Sequence, residues 1–314
     1  MKKYKICITG GAGFVGTNLS NRLIQEGHKV IIIDNLSSGK KENINPKAKF
    51  YLEDIRSQNI LPIFENEKFD YVYHKAAQID VRKSIANPMY DLDVNGMGLL
   101  NVLENCKNNK VKKVIFASSG GVIYGNTKHF PTPETEEKSP ESCYGVTKAL
   151  GELYLNFYKK VHNLDYTIFR YSNIYGKYQD SHGEAGVIDI FINNIISKKP
   201  CTIYGDGLQC RDYIHVSDVV EANVLALSKG SGRAYNIASG RVSSVKEIYD
   251  IINSLNNHSG VLKYEKARLG ELLRSEIDNT KAKKELHWTP RMNLEQGIKE
   301  TLAYIKSKNS VTGQ

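Results

Sequence analysis

The chain has 314 residues in 35.3 kDa, 40% hydrophobic and 25% charged, at a mean hydropathy of -0.41; that is room for one large α/β unit or two lobes, and it excludes disordered, collagenous and membrane-embedded classes. Lys+Arg of 43 against Asp+Glu of 34 leave a formal charge of +9, but the lysines fall in pairs interrupted by acids, so a solvated surface is expected and no nucleic-acid or membrane partner. Cys7, Cys106, Cys143, Cys201 and Cys210 form no C-x-x-C pair, which argues against zinc and a disulfide framework and for a reducing compartment.

The first residues reach Gly10 after too few apolar positions for a signal-peptide core, so a soluble, cytoplasmic chain is expected. Short runs rich in Ile, Val, Tyr and Phe predict strands over 4–9, 29–34, 49–53, 71–74, 113–118 and 166–171. Amphipathic stretches over 18–26, 89–106 and 144–160 predict the crossover helices between them. The fold class is α/β: a doubly wound parallel sheet of the Rossmann type over 1–173, rejoined by 212–238. A smaller, discontinuous C-terminal α/β substrate lobe follows over 174–314, with helices at 187–197, 216–228, 245–253, 281–286 and 294–306 and a strand at 201–204.

Thr9-Gly10-Gly11-Ala12-Gly13-Phe14-Val15-Gly16 follows the first strand and opens the first helix. Glycines let the backbone approach a pyrophosphate, and the helix N-terminus attracts the anion; the bland alternative is a structural strand-to-helix turn. Asp34 ends the second strand 21 residues after Gly13. There its carboxylate either accepts from the adenosine ribose hydroxyls, which favours NAD over NADP, or caps the turn at 35–39. Asp54 and Ile55, after the third strand, either hold the adenine amino group or end the strand.

Tyr144 and Lys148 stand four apart on a predicted helix, so phenol and ammonium share a face. A phenol acting as base near neutrality needs adjacent positive charge, which Lys148 supplies. Ser118 and Ser119 end the fifth strand, where open sheets bind ligands, and either could offer its hydroxyl.

With these signals in order, the sequence resembles the extended short-chain dehydrogenase/reductase family over nearly its whole length, and within it the UDP-glucose 4-epimerases and related nucleotide-sugar epimerases. The resemblance is carried by Asp34-Asn35-Leu36-Ser37-Ser38-Gly39, His74-Lys75-Ala76-Ala77-Gln78, Arg170-Tyr171-Ser172-Asn173-Ile174-Tyr175-Gly176 and Arg211-Asp212-Tyr213-Ile214-His215-Val216. It implies Ser119, Tyr144 and Lys148 as the catalytic group, with Ser119 on the reacting hydroxyl and Lys148 on the nicotinamide ribose. It further implies NAD held by Gly10, Gly13, Phe14, Val15, Asp34, Asn35, Ser38, Gly39, Asp54, Ile55, Ala76, Ala77, Gln78, Asn95, Tyr144, Lys148 and Tyr171.

For a UDP-sugar substrate the resemblance implies Asn173, Val187, Tyr204, Arg211, Arg268 and Glu271, with Arg274 a further cation for the diphosphate. Ser275 falls four residues after Glu271, where some relatives restricted to glucose and galactose place tyrosine; the smaller side chain implies room for an N-acetyl group at C2. The expected activity is NAD-dependent C4 epimerisation through a transient 4-keto sugar, with a UDP-uronate 4-epimerase as the nearer alternative. A dehydratase or decarboxylase ranks lower, because dehydrating relatives carry Thr-Asp-Glu where this chain has Ser119-Gly120-Gly121. A non-catalytic cofactor-binding protein ranks lower still, given intact Tyr144 and Lys148. A homodimer through the helices at 89–106 and 144–160 is a family expectation.

Overall fold

The computed structural model describes residues 2–179, 186–257, 260–267 and 272–312. In chain order the strands are β1 (Lys5–Thr9), β2 (Lys29–Asp34), β3 (Lys49–Leu52), β4 (Tyr71–His74), β5 (Lys113–Ser119), β6 (Asp165–Tyr171), β7 (Asn173–Tyr175), β8 (Cys201–Tyr204), β9 (Cys210–His215), β10 (Arg233–Ile237), β11 (Val242–Ser244), β12 (Leu262–Glu265) and β13 (Arg274–Ser275). The helices are α1 (Phe14–Gln25), α2 (Ile60–Glu67), α3 (Val81–Ala86), α4 (Pro88–Leu92), α5 (Gly98–Asn108), α6 (Cys143–His162), α7 (Val187–Ile196), α8 (Val216–Leu225), α9 (Val245–Leu255) and α10 (Leu294–Thr312).

Seven strands form one parallel sheet in the order β10-β6-β5-β4-β1-β2-β3, the doubly wound Rossmann arrangement. Both faces are covered, which is why its strands read as continuous apolar runs. Successive residues feed opposite layers: Ile6 and Ile8 join Tyr73, Phe169 and Val219 beneath α1 and α8, whereas Cys7 packs with Val72, Phe116 and Leu155 beneath α2, α5 and α6. Each fully buried Ile or Phe contributes roughly 2 kcal/mol of transfer free energy. A third core joins Phe191, Ile203, Ile252 and Ile298 of α7, β8, α9 and α10. Trp288 belongs to the first core and donates from Nε1 to the Asp218 carbonyl at 2.9 Å, while the Asp218 carboxylate accepts from the Arg291 and Met292 N–H groups.

Several boundaries differ from the sequence reading. The first helix begins at Phe14, directly behind the glycine loop, rather than at 18. The single helix expected over 89–106 is α4, a π-helical segment Asp93–Met97 and α5. The helix expected at 281–286 is a π-helical segment, Ala282–Leu286, closed by His287 at φ 54. α2 was not among the expected helices; Pro62 falls in its first turn, where its missing N–H costs nothing.

Candidate active site

The order of the large sheet reverses between β1 and β4, and at the carboxyl edge there a cavity of about 320 Å³ opens. Gly10 sits at φ +70, where a Cβ would strike the Ala76 nitrogen at 2.5 Å, and a Cβ on Gly16 would fall 2.1 Å from the Gly10 oxygen. The loop therefore lies against the exit of β4, and α1 starts without a spacer. Gly13 caps α1 with no side chain, and a Cβ there would meet only the Gly10 oxygen, at 3.4 Å. First-turn N–H groups of α1 are thus left for a ligand beside a lining of Gly10, Gly13, Phe14 and Val15, a donor set suited to pyrophosphate.

Buried Asp34 accepts from the Leu36 N–H at 2.8 Å and the Ala12 N–H at 2.9 Å, one on each carboxylate oxygen. It caps the turn and lines the cavity at once. Burial pushes its carboxyl up, and the two N–H bonds oppose that; each oxygen keeps a lone pair for a ribose hydroxyl. Asn35 donates to Asp54 at 2.8 Å, and hydrogen bonds from Arg56 hold the Asp54 carboxyl well below the usual range. Asn35, Ser38, Asp54 and Ile55 line the cavity; Gly39 stands behind Asp34, where a Cβ would lie 3.1 Å from Oδ1.

Ala76 and Ala77 continue the lining, and Gln78 turns to an adjoining cavity of about 450 Å³. Buried Asn95 does not line the first cavity; its Oδ1 accepts from the Gln78 N–H and its Nδ2 donates to the Gln78 carbonyl, both at 2.9 Å, fixing the backbone just past Ala77.

Ser142 caps α6, and Tyr144 and Lys148 follow in its first turns. Lys148 Nζ lies 5.5 Å from the Tyr144 ring centroid and donates to the Ala117 carbonyl at 3.0 Å. Burial pushes its ammonium down to about 8, with Asp91 opposing. Both serines line the cavity, but their hydroxyls part here. Ser118 donates at 2.7 Å to Glu152, which is buried in an ion pair with Arg170. The Ser119 hydroxyl and that of Ser275 lie 3.9 and 4.0 Å from the position of a Cβ on Gly121. Tyr144, Lys148, Ser119 and Tyr171 share the cavity with the glycine loop and Asp34.

Asn173, Val187 and Arg211 line a neighbouring cavity of about 290 Å³, which shares Ile174 and Gln179 with the first. Ser275 is the register partner of Arg211. Tyr204 stands outside both linings, tied through its carbonyl to Gln209 at 3.0 Å, and Arg274 is turned into an exposed pair with Glu276. Arg268 and Glu271 lie outside the described residues. Lys75 and Gln179 line the cofactor-type cavity without having been singled out. Lys75 directly follows a parallel strand, a position that could have flagged it; Gln179 lies in a loop with no periodic signal. Among the described residues, no His, Cys, Asp and Glu cluster fits a metal ion and no helix is long and apolar enough to cross a membrane.

Residues 6–238 match the NAD dependent epimerase/dehydratase family. A solved UDP-glucose 4-epimerase from Thermotoga maritima, with UDP-glucose, is 42% identical, with 97% of this chain and 99% of that one covered at a TM-score of 0.95. A Thermus thermophilus UDP-glucose 4-epimerase in complex with NAD is 34% identical over 96% of this chain and 99% of its own, TM-score 0.92. A UDP-N-acetylglucosamine 4-epimerase from Methanobrevibacter ruminantium, in complex with UDP-N-acetylmuramic acid, is 34% identical over 98% of this chain and 100% of its own, TM-score 0.93.

Proposed function

The chain belongs to the NAD dependent epimerase/dehydratase family, and from that premise we propose that it interconverts the C4 epimers of a UDP-hexose with NAD as resident cofactor. The observation that carries this reading is the convergence of Tyr144, Lys148 and Ser119 on the cavity that also holds the glycine loop and Asp34. Bound NAD would supply a hydride acceptor for C4 and return the hydride to the other face of the 4-keto sugar. Tyr144 takes the C4 hydroxyl proton and gives it back, Lys148 stabilises the phenolate, and Ser119 orients the reacting hydroxyl. Asn173 and Arg211 grip the nucleotide diphosphate while the sugar pivots. Arg268 and Glu271 are proposed to complete that grip, and Val187 and Tyr204 to flank the uracil.

In this reading 1–173 with 212–238 form the cofactor lobe, supported by β10 joining the large sheet, and the remainder of 174–314 forms the substrate lobe. Serine at 275, beside Arg211 in register, leaves room for an N-acetyl group, so UDP-N-acetylhexosamines are proposed as substrates alongside UDP-glucose and UDP-galactose. The second copy of a homodimer is proposed to cover the exposed Val146, Leu153, Phe157 and Val161 on α6 with Met89, Leu92 and Met97 beside them; the α6 positions follow one helical stripe.

The test is to incubate purified protein, without added NAD, with UDP-hexoses, UDP-N-acetylhexosamines and UDP-uronates and to assign product C4 stereochemistry. Inversion at C4 of a hexose or N-acetylhexosamine is expected. A stoichiometric demand for cofactor, or inversion of uronates alone, would overturn the reading.

A further inference from the structure

A second lysine reaches the strand end that Lys148 holds. His74 ends β4 on the α6 side of the sheet, stacked on Phe116 with centroids 5.9 Å apart. The next residue, Lys75, turns to the opposite face, where Nζ donates to the Tyr171 hydroxyl at 3.0 Å and lies 5.7 and 5.4 Å from the Tyr73 and Tyr171 ring centroids. Since β5 runs between β4 and β6, this side chain bridges the end of the strand that carries Ser119. Lys148 meets the same strand end from the other face, at the Ala117 carbonyl. Tyr171 is tied further: Asn223 Nδ2 donates to its hydroxyl at 2.9 Å, and its carbonyl accepts from the Gly120 N–H at 2.9 Å. Ser119 is its register partner.

We propose that Lys75 is a positioning residue for the reaction, acting through Tyr171 to hold the end of β5 against Lys148, so that Ser119 and the Tyr171 ring keep their places in the cavity. The inference rests on the epimerase reading for its effect on turnover. Tyr73 from β4 and Tyr171 from β6 face the Lys75 amine, Asn223 from α8 meets it through the Tyr171 hydroxyl, and His74 and Lys148, on the other face of the sheet, couple to it through charge alone. Burial, and then the Lys148 charge, push its ammonium well below the ordinary lysine range. Its amine meets the two tyrosines, and the hydrogen bond to Tyr171 is what a side-chain substitution removes.

The experiment is a double-mutant cycle of Lys75→Met and Tyr171→Phe in the full chain, read by steady-state kinetics and by NADH fluorescence on protein without substrate. Each single variant is expected to lower kcat about tenfold with KM for the UDP-sugar within about twofold, and the double variant to be no worse than either. NADH affinity falls alike in both, by about threefold to tenfold, and Lys75→Arg restores most of the loss. Unchanged kcat in Lys75→Met, or losses that multiply in the double variant, would overturn the proposal. Should Lys75→Met lose cooperative melting, wild-type kcat in Tyr171→Phe overturns it by itself. If the wild-type chain epimerises nothing, the functional reading fails, while the NADH affinities still decide whether Lys75 and Tyr171 act as one unit.

Discussion

Lys148 and Tyr144 lie one turn apart on α6, the ammonium 5.5 Å from the phenol ring centroid, with no carboxylate hydrogen-bonded to that ammonium among the described residues. Tyr144→Phe should lower kcat by about 10² to 10⁴ while NAD stays bound. Rapid-quench turnover and released cofactor, measured side by side, check it; full activity in the variant would remove the phenol from the chemistry.

The same lysine ties activity to pH. Its ammonium, pushed down to about 8 from 10.5, makes the folded chain bind fewer protons than the unfolded chain between those values, so its contribution to stability grows as pH rises through that window. Below about pH 8, burying the charge costs about 3 kcal/mol. Lys148→Met should therefore melt at a higher temperature at pH 7, gain less between pH 8 and 10.5, and lose turnover; wild-type rate should decline above about pH 8. Calorimetry across pH on both proteins is the check.

Asp34 spends one acceptor site of each oxygen on the Ala12 and Leu36 N–H groups. Asp34→Ala is expected to weaken NAD binding by about ten- to a hundredfold and to narrow the preference over NADP, since the charge that repels a 2′-phosphate is gone. Equal NAD affinity in calorimetric titration would assign Asp34 to the turn alone.

Ser118 and Ser119 should respond in opposite ways. Ser118→Ala removes a donor from buried Glu152 and costs about 1 kcal/mol of stability with little effect on rate, whereas Ser119→Ala lowers kcat about tenfold or more with an unchanged melt. Denaturant titration and steady-state kinetics on the pair separate them.

Leu153 and Phe157 are 64% and 48% exposed on α6. Leu153→Asp with Phe157→Asp should halve the mass seen by sedimentation if a second copy covers this stripe, and leave it unchanged if the chain is monomeric.

The central strands could be read from sequence because a parallel sheet covered on both faces favours apolar runs, and edge strand β3, with Lys49 and Leu52 exposed, was read from its Phe50-Tyr51-Leu52 run. β10 could not: Arg233-Ala234-Tyr235-Asn236-Ile237 alternates too little, and its place beside β6 depends on a long return of the chain. In the site, the glycine loop, Asp34 and the Tyr144–Lys148 spacing are local and were legible. The different settings of Ser118 and Ser119 were not, because they turn on which face of β5 meets Glu152. The pairing of Lys75 with Tyr171 was also opaque, since the two lie 96 residues apart across another strand.

Trp288, the chain's single tryptophan, is sealed in the core of the large sheet although it arrives from the last tenth of the sequence. Its indole is therefore a built-in optical probe. A red-shifted emission during denaturation dates the moment at which the tail lets go of α8, and a blue emission that persists while activity vanishes locates the damage elsewhere in the molecule.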